Sequence, residues 1–403
     1  MSIITQFGLM NGRGLQEAAV VQTTELSTDP TTGTALSIEL ISLREIGSKI
    51  SEALDTLRGT VERFPALPWE IGFSGGKDSS IVCHLAFEYL KQGLVDGSPL
   101  PPKVYILYSD TLLDVPILRR NTLSTLKDMR ETARAFRGLV EVKIVKPAKE
   151  HDYFSMVIDK GYSAPHFRYR WCIDRLKIAP SLGFLHTVGK YAMITGVRHD
   201  ESATRNRNMA TRKQNEPISI VDHTTLIAPI LNWKQNDVWT FLSLYRQPWN
   251  GQSYAGLFEV YRLGDNLEGC GRCSMTPNSR FGCWICTVVR KDKLLTNLAR
   301  HSLEYTTMLN AKERIRKISL TPALRTYSPE GRYVGINEQG RLEIVNIIAD
   351  MILTCDTALE GYLEDEYLRS KTIGWLAAGY KASGNPNLAL ALKKVSKPSG
   401  KTT

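Results

Sequence analysis

Ser74-Gly75-Gly76-Lys77-Asp78-Ser79-Ser80 joins an apolar run, Ile71-Gly72-Phe73, to a helix-like run that begins at Ile81. A small-residue turn between a strand and a helix constrains a chain strongly. Gly75 and Gly76 let the backbone bend and bring its N–H groups close to an anion. The helix that follows contributes the positive end of its dipole and unpaired N–H groups. Ser74, Ser79 and Ser80 add hydroxyl donors, Lys77 adds a cation, and Asp78 stands among them. The pattern is not the Walker loop, which is longer and ends in Gly-Lys-Ser/Thr. Residues 74–80 therefore predict a phosphate-binding turn at the carboxyl end of a strand.

Strand-like and helix-like segments alternate around that turn. Strand candidates are 69–73, 103–108, 140–145, 191–195 and 226–230, with helices near 79–92, 115–136 and 173–185. This order predicts the α/β class, a parallel sheet with helices on both faces. Ligands of such sheets bind beyond the carboxyl ends of the strands. Residues 1–35 are polar and rich in Thr, Ser and Gln and read as a flexible N-terminal segment. The nucleotide-binding domain is expected over 36–246 and a cysteine-rich metal-binding segment over 247–290. A mainly helical C-terminal region follows over 291–392, and a basic tail over 393–403.

The chain has 403 residues, 42% of them hydrophobic and 23% charged, an ordinary globular balance. No apolar run approaches the ~20 residues that cross a bilayer, and the start lacks a secretion-signal pattern. A cytoplasmic chain with no membrane partner is the expectation. The net charge of +10 suits a polyanion, whether nucleic acid or ATP alone.

Three further segments carry chemistry. Asp110 ends the second strand candidate, where it can bind a phosphate-held metal, orient a ribose hydroxyl, or simply form a turn or cap the next helix. Gly196 lets the chain turn close to a ligand, and Arg198, Arg205 and Arg207 can neutralise polyphosphate with forked hydrogen bonds. In the run from His166 to Lys177, Arg168, Arg170, Arg175 and Lys177 can grip phosphates, and Tyr169 or Trp171 can stack on a base. Cys172 lies among these cations and is expected to have a depressed pKa, the thiolate form that carries sulfur or binds iron. Cys270, Cys273, Cys283 and Cys286 form two Cys-x-x-Cys pairs, a four-thiolate site for zinc or an iron–sulfur cluster. Cys83 and Cys355 stand alone and read as buried filler.

The loop at 74–80 resembles the PP-loop of ATP pyrophosphatases, whose signature is Ser-Gly-Gly-x-Asp-Ser. That superfamily has an adenine nucleotide α-hydrolase-like fold and cleaves ATP between its α- and β-phosphates. The stretch from Gly196 to Arg205 resembles the Gly-x-Arg-x-x-Glu-Ser-x-x-Arg segment of the phosphoadenylyl-sulfate reductase family, and Trp171-Cys172 with Leu176-Lys177 fits the same family. Arg280-Phe281-Gly282-Cys283-Trp284-Ile285-Cys286-Thr287-Val288-Val289 resembles the signature of the DndC-like family of DNA phosphorothioation proteins, with related proteins in the single-strand (Ssp) system.

The resemblance implies an ATP pyrophosphatase and sulfurtransferase that acts in a defence-related DNA modification. It implies ATP and Mg²⁺ over Ser74, Gly75, Gly76, Lys77, Asp78, Ser79 and Ser80, with Asp110, Gly196, Arg198 and Arg205 nearby. Lys77, Asp78, Cys172 and Arg198 are the implied catalytic residues. Cys270, Cys273, Cys283 and Cys286 are the implied ligands of a 4Fe-4S cluster, with zinc as the alternative and Cys172 either a ligand or a sulfur carrier. DNA, a cysteine desulfurase and other phosphorothioation proteins are the implied partners. A reductase of adenylylated sulfate and a tRNA thiolation enzyme are the alternative activities.

Overall fold

The computed structural model describes residues 32–201, 216–221, 223–265, 282–289 and 292–397. The elements run α1 (Thr32–Arg63), β1 (Trp69–Gly72), α2 (Lys77–Asp96), β2 (Val104–Ser109), α3 (Pro116–Ala133), β3 (Val140–Val145), α4 (Ala179–Val188) and β4 (Ala192–Ile194). Then come β5 (Ile218–Val221), β6 (Thr224–Ile227), α5 (Gln235–Leu244), α6 (Ala255–Asp265), α7 (Lys293–Ala299) and α8 (Leu303–Leu320). The last are β7 (Arg325–Tyr327), β8 (Tyr333–Ile336), α9 (Glu338–Thr354), α10 (Glu366–Ser383) and α11 (Pro386–Ser396). The chain divides into two compact, discontinuous units. One is Met1–Tyr108, Asn121–Lys143 and Thr187–Phe258; the other is Ser109–Arg120, Ile144–His186 and Glu259–Thr403.

Among the described residues, six strands form one sheet in the order β3-β2-β1-β4-β6-β5, with helices on both faces. β1 pairs in parallel with β2 and β4, and β4 in parallel with β6. The chain therefore leaves β1 toward one side of the sheet and returns on the other at β4. That reversal opens a crevice at the carboxyl end of β1. β1 is buried at Trp69, Glu70 and Ile71, as a central parallel strand must be. Glu70 is the exception in kind: burial raises its carboxyl pKa to about 7.

The sheet departs from expectation at its far edge. β5 runs antiparallel to β6, a strand that the alternation of residues 218–221 did not reveal. β6 ends at Ile227 rather than continuing to 230, because Pro229 has no N–H to donate to a ladder.

In the first unit α2 is buried over most of its surface, including Ile81, Val82, Leu85, Ala86, Phe87 and Leu90. It stops at Gly97, whose left-handed φ of 77° lets its N–H reach the Gly93 carbonyl. His84 sits in this core with its Nδ1 2.9 Å from the Tyr254 hydroxyl, and burial lowers its pKa to about 3, so the ring is neutral.

In the second unit α7–α11 pack around Met308, Ile315, Ile344, Ile348, Leu376 and Leu388. Side-chain caps at Asp292, Asn337, Asp365 and Asn385 begin four of these helices. The turn-rich segment after Tyr327 is a short hairpin: β7 pairs antiparallel with β8, with Gly331 at a positive φ of 77° between them. No helix among the described residues is long and apolar enough to cross a membrane.

Candidate functional site

The glycine-rich loop is tied to itself. The Ser79 hydroxyl donates to the Gly76 carbonyl at 3.0 Å and accepts the Ser74 N–H at 3.2 Å; the Ser74 hydroxyl lies 3.1 Å from it. Gly75 has a φ of 71°, and a Cβ there would run into the Thr122 side chain. Gly76 begins α2 in extended conformation without a side-chain cap. The helix start is thereby left to backbone N–H groups, the arrangement that receives an anion.

Behind the loop stands a salt-bridge chain. Lys77 Nζ donates to Asp78 Oδ2 at 2.9 Å, and Arg198 Nε donates to Asp78 Oδ1 at 2.7 Å. Arg198 is 1% exposed. Its other nitrogens donate to the Trp233 carbonyl at 3.2 Å and to Gln235 Oε1 at 2.9 Å. The guanidinium expected to meet polyphosphate is instead committed to holding the loop, because a buried cation needs its donors satisfied. Gly196 serves the same close packing: a Cβ there would stand 3.0 Å from the Asp78 carbonyl carbon. Arg205 and Arg207 lie outside the described residues.

Of the roles open to Asp110, the turn is the one seen. It is 1% exposed, Arg119 Nε and Nη2 grip its carboxylate at 2.9–3.2 Å, and it accepts the Leu112 N–H at 2.9 Å. Both oxygens are thus held by the turn that follows β2. The geometry is that of an anchor.

The second unit gathers sulfur. Cys283 lies with its Sγ 3.2 Å from Thr111 Oγ1 and 3.6 Å from Asp114 Oδ1. Trp284 is fully buried, takes the Leu113 carbonyl with its backbone N–H and donates its indole N–H to the Ala358 carbonyl at 3.1 Å. The Thr287 hydroxyl donates to the Pro165 carbonyl at 2.6 Å. These bonds fix residues 283–287 beside the one-turn helix Trp171–Ile173, which runs directly into a π-helical turn, Asp174–Ile178. Such turns are frequent at functional sites.

Lys177 reports the grouping. Desolvation lowers its pKa, but Asp114 and the sulfurs of Cys283, Cys172 and Cys286 outweigh this and raise it. Asp114 and Thr111 were not singled out from sequence; their signal was the position just beyond β2.

Cys172 corrects the sequence reading. Its pKa is raised to about 11, first by burial and then by the neighbouring Cys286. The thiol packs against the second unit's core, while Arg170 and Arg175 on either side of it are exposed. Burial likewise raises the Cys283 pKa, with Asp114 adding to it. Cys83 and Cys355 are buried, as expected of filler.

Cys270 and Cys273 lie outside the described residues, and among the described residues no group of three His, Cys, Asp or Glu is arranged to hold a metal ion. The chemistry of the described part still fits a thiolate-bound iron–sulfur group. Cys172, Cys283 and Cys286 all act on Tyr153, whose buried hydroxyl has no hydrogen-bond partner. An O–H left over among sulfurs is a donor that a sulfide or thiolate would satisfy.

Comparison with known proteins gives relatives and a family. Two uncharacterized proteins of Methanocaldococcus jannaschii are similar to the chain. One is 26% identical over 209 residues, 52% of this chain and 42% of that protein. The other is 24% identical over 223 residues, 55% of this chain and 39% of that protein. Adenosine 5'-phosphosulfate reductase 2 of Bacillus subtilis is 29% identical over 114 residues, 28% of this chain and 43% of that enzyme. The chain spans less than half the length of each of these curated relatives.

Among solved structures, the phosphoadenylyl-sulfate reductase of Candida auris in its phosphate complex is 14% identical with a TM-score of 0.30, covering 58% of this chain and 85% of that one. The FMN adenylyltransferase of Candida glabrata with FAD and inorganic pyrophosphate is 15% identical with a TM-score of 0.33, covering 63% and 70%. The profile of the phosphoadenosine phosphosulfate reductase domain matches residues 70–289, from β1 through the loop, Cys172 and Arg198 to the end of the Cys283 segment. With more than half of its length inside that match, the chain belongs to the phosphoadenosine phosphosulfate reductase domain family.

Proposed function

We propose that the protein is an ATP pyrophosphatase that adenylates a non-bridging oxygen of a DNA backbone phosphate for replacement by sulfur. The observation that carries the reading is the braced loop, an uncapped helix start with Lys77 beside it, in a chain of this family. The DNA oxygen attacks the α-phosphorus of ATP. A P–O bond forms, the bond to the β-phosphate breaks, and pyrophosphate leaves. Loop N–H groups, the Ser74 and Ser80 hydroxyls and Lys77 stabilise the charge that develops on the phosphates. Mg²⁺ would enter with the ATP.

Sulfur then replaces the activated oxygen. The terminal sulfur of a persulfide on Cys172, loaded by a cysteine desulfurase, attacks the DNA phosphorus, and AMP leaves with the oxygen. A second thiol cleaves the S–S bond, and a thiol reductant resets the resulting disulfide. Cys270, Cys273, Cys283 and Cys286 would hold a 4Fe-4S cluster, which supplies electron-transfer and sulfur-binding capacity when bound. Other phosphorothioation proteins would present the DNA.

The test is ATP cleavage to AMP and pyrophosphate with phosphorothioate formation in DNA, in the presence of cysteine and a desulfurase. Reduction of adenylylated sulfate is the second reading, favoured by the name of the Bacillus subtilis relative. It predicts sulfite release from a sulfate nucleotide with no ATP consumed. Incorporation of sulfur into tRNA instead of DNA would assign the third activity.

A further inference from the structure

Between Tyr162 and α4 the chain turns a dense set of rings and cations outward. The His166 and Tyr169 backbones exchange hydrogen bonds at 3.1 and 2.9 Å, closing a tight turn with Phe167 and Arg168 at its tip. Phe167 is 65% exposed and Tyr169 is 44% exposed. The Arg168 guanidinium lies 5.2 Å from the Phe167 ring centroid, and Tyr169 stacks on Tyr162 at 6.2 Å and 18°. Trp171 behaves differently. It is 5% exposed and donates its indole N–H to the Ser163 carbonyl at 3.0 Å. Sequence alone offered Tyr169 or Trp171 as a stacking surface; in the structure Tyr169 is open and Trp171 is the wall behind it. Together with Tyr162, the side chains of Arg168, Tyr169, Arg170, Trp171, Asp174 and Arg175 line a pocket of about 380 Å³.

We propose that this pocket binds single-stranded DNA, with an unstacked base against Tyr169 and backbone phosphates on Arg168, Arg170 and Arg175. Three guanidiniums face one carboxylate, Asp174, so the lining attracts an anion. Open rings beside those cations select an anion that also offers planar faces, and a single strand offers both at every nucleotide. A duplex hides its base faces in the stack and would leave Phe167 and Tyr169 uncovered. Trp171 directly precedes Cys172, so a strand held here lies along the element that carries the thiol. The inference deepens the proposed function and rests on its choice of DNA as acceptor.

The experiment is fluorescence anisotropy of the full-length protein with a labelled single-stranded DNA, the same sequence as a duplex, and the same sequence as RNA, each at several salt concentrations. Single-stranded DNA is expected to bind most tightly. Tyr169→Ala is expected to weaken it by about tenfold, the lower range of one base–aromatic stack, while Tyr169→Phe stays near wild type. The triple variant Arg168→Ala, Arg170→Ala, Arg175→Ala is expected to reduce the slope of log affinity against log salt by about 2, the share of three phosphate contacts. Wild-type-like binding by Tyr169→Ala and the triple variant overturns the pocket, as does preference for the duplex or for RNA. If DNA is still sulfurated by wild type in that case, the proposed function stands and only the pocket falls. If the wild type neither binds nor sulfurates DNA, both fall.

Discussion

In the first unit, Asp78 is held by Lys77 at 2.9 Å and by Arg198 at 2.7 Å, and the Ser79 hydroxyl is bonded to Ser74 and Gly76 of its loop. In the second unit, the Tyr153 hydroxyl is buried without a partner beside Cys172, Cys283 and Cys286, and burial holds the thiols of Cys172 and Cys283 in the protonated form. The loop is shaped before its ligand arrives. The cysteines are not; under the proposed function they gain charge when sulfur transfer or a metal draws the thiol protons away. Preorganisation suits a site that must stabilise developing phosphate charge at once. A protonated thiol is a poor nucleophile, so sulfur transfer to Cys172 requires its proton to leave first.

The contrast can be broken from either side. Cys172→Ser is expected to reduce sulfur incorporation into DNA below detection while ATP binding, measured by calorimetry, stays within about twofold, as expected where residues 74–80 and not Cys172 hold the phosphates. Full modification by this variant would remove Cys172 from the mechanism. Lys77→Ala is expected to lower pyrophosphate release by about 100- to 1,000-fold, the range for losing one preorganised electrostatic contact in a transition state. Pyrophosphate release near the wild-type rate would remove Lys77 from the mechanism.

A third variant tests the brace rather than the chemistry. Arg198→Ala leaves Asp78 without its buried partner and is expected to cost about 3 kcal/mol in urea unfolding, with catalysis falling too. Arg198→Lys is not expected to restore either, since an ammonium cannot supply the three directions that Arg198 serves. A neutral result would mean that the loop holds its shape without the brace.

The smallest effect is a pH dependence under the same loop. Glu70 titrates near 4.5 when unfolded and at about 7 in the fold, so the native state binds its proton more tightly. Its contribution to stability is fully present below about pH 4.5 and is lost as pH rises through about 7, by roughly 1–3 kcal/mol in all. Glu70→Gln should therefore be more stable than wild type at pH 8 and comparable at pH 4.5. Parallel stability curves for the two proteins would show that Glu70 is solvated.

What the sequence disclosed was local. The loop at 74–80 and the strand–helix alternation were legible because turn chemistry and periodicity act over a few residues. The Arg198–Asp78 brace was not, since its partners lie 120 residues apart. Asp110 at the end of a strand leaves a ligand role and a turn equally open in sequence, and the grip of Arg119, nine residues on, is what the sequence does not show. Arginines flank Cys172 in sequence and so predict a thiolate. Neighbours in a helix point to different sides, and its thiol faces the buried core. β5 escaped notice because a four-residue edge strand carries too little alternation to stand out.

The direct test of the central claim follows radiolabelled ATP and phosphorothioate together. Purified protein, DNA, cysteine and a desulfurase are incubated without oxygen, and nuclease digests are analysed by mass spectrometry. The account predicts one AMP and one pyrophosphate for each phosphorothioate linkage, with both lost in Lys77→Ala. Phosphorothioate-free DNA together with sulfite release from adenylylated sulfate, without ATP cleavage, would contradict it.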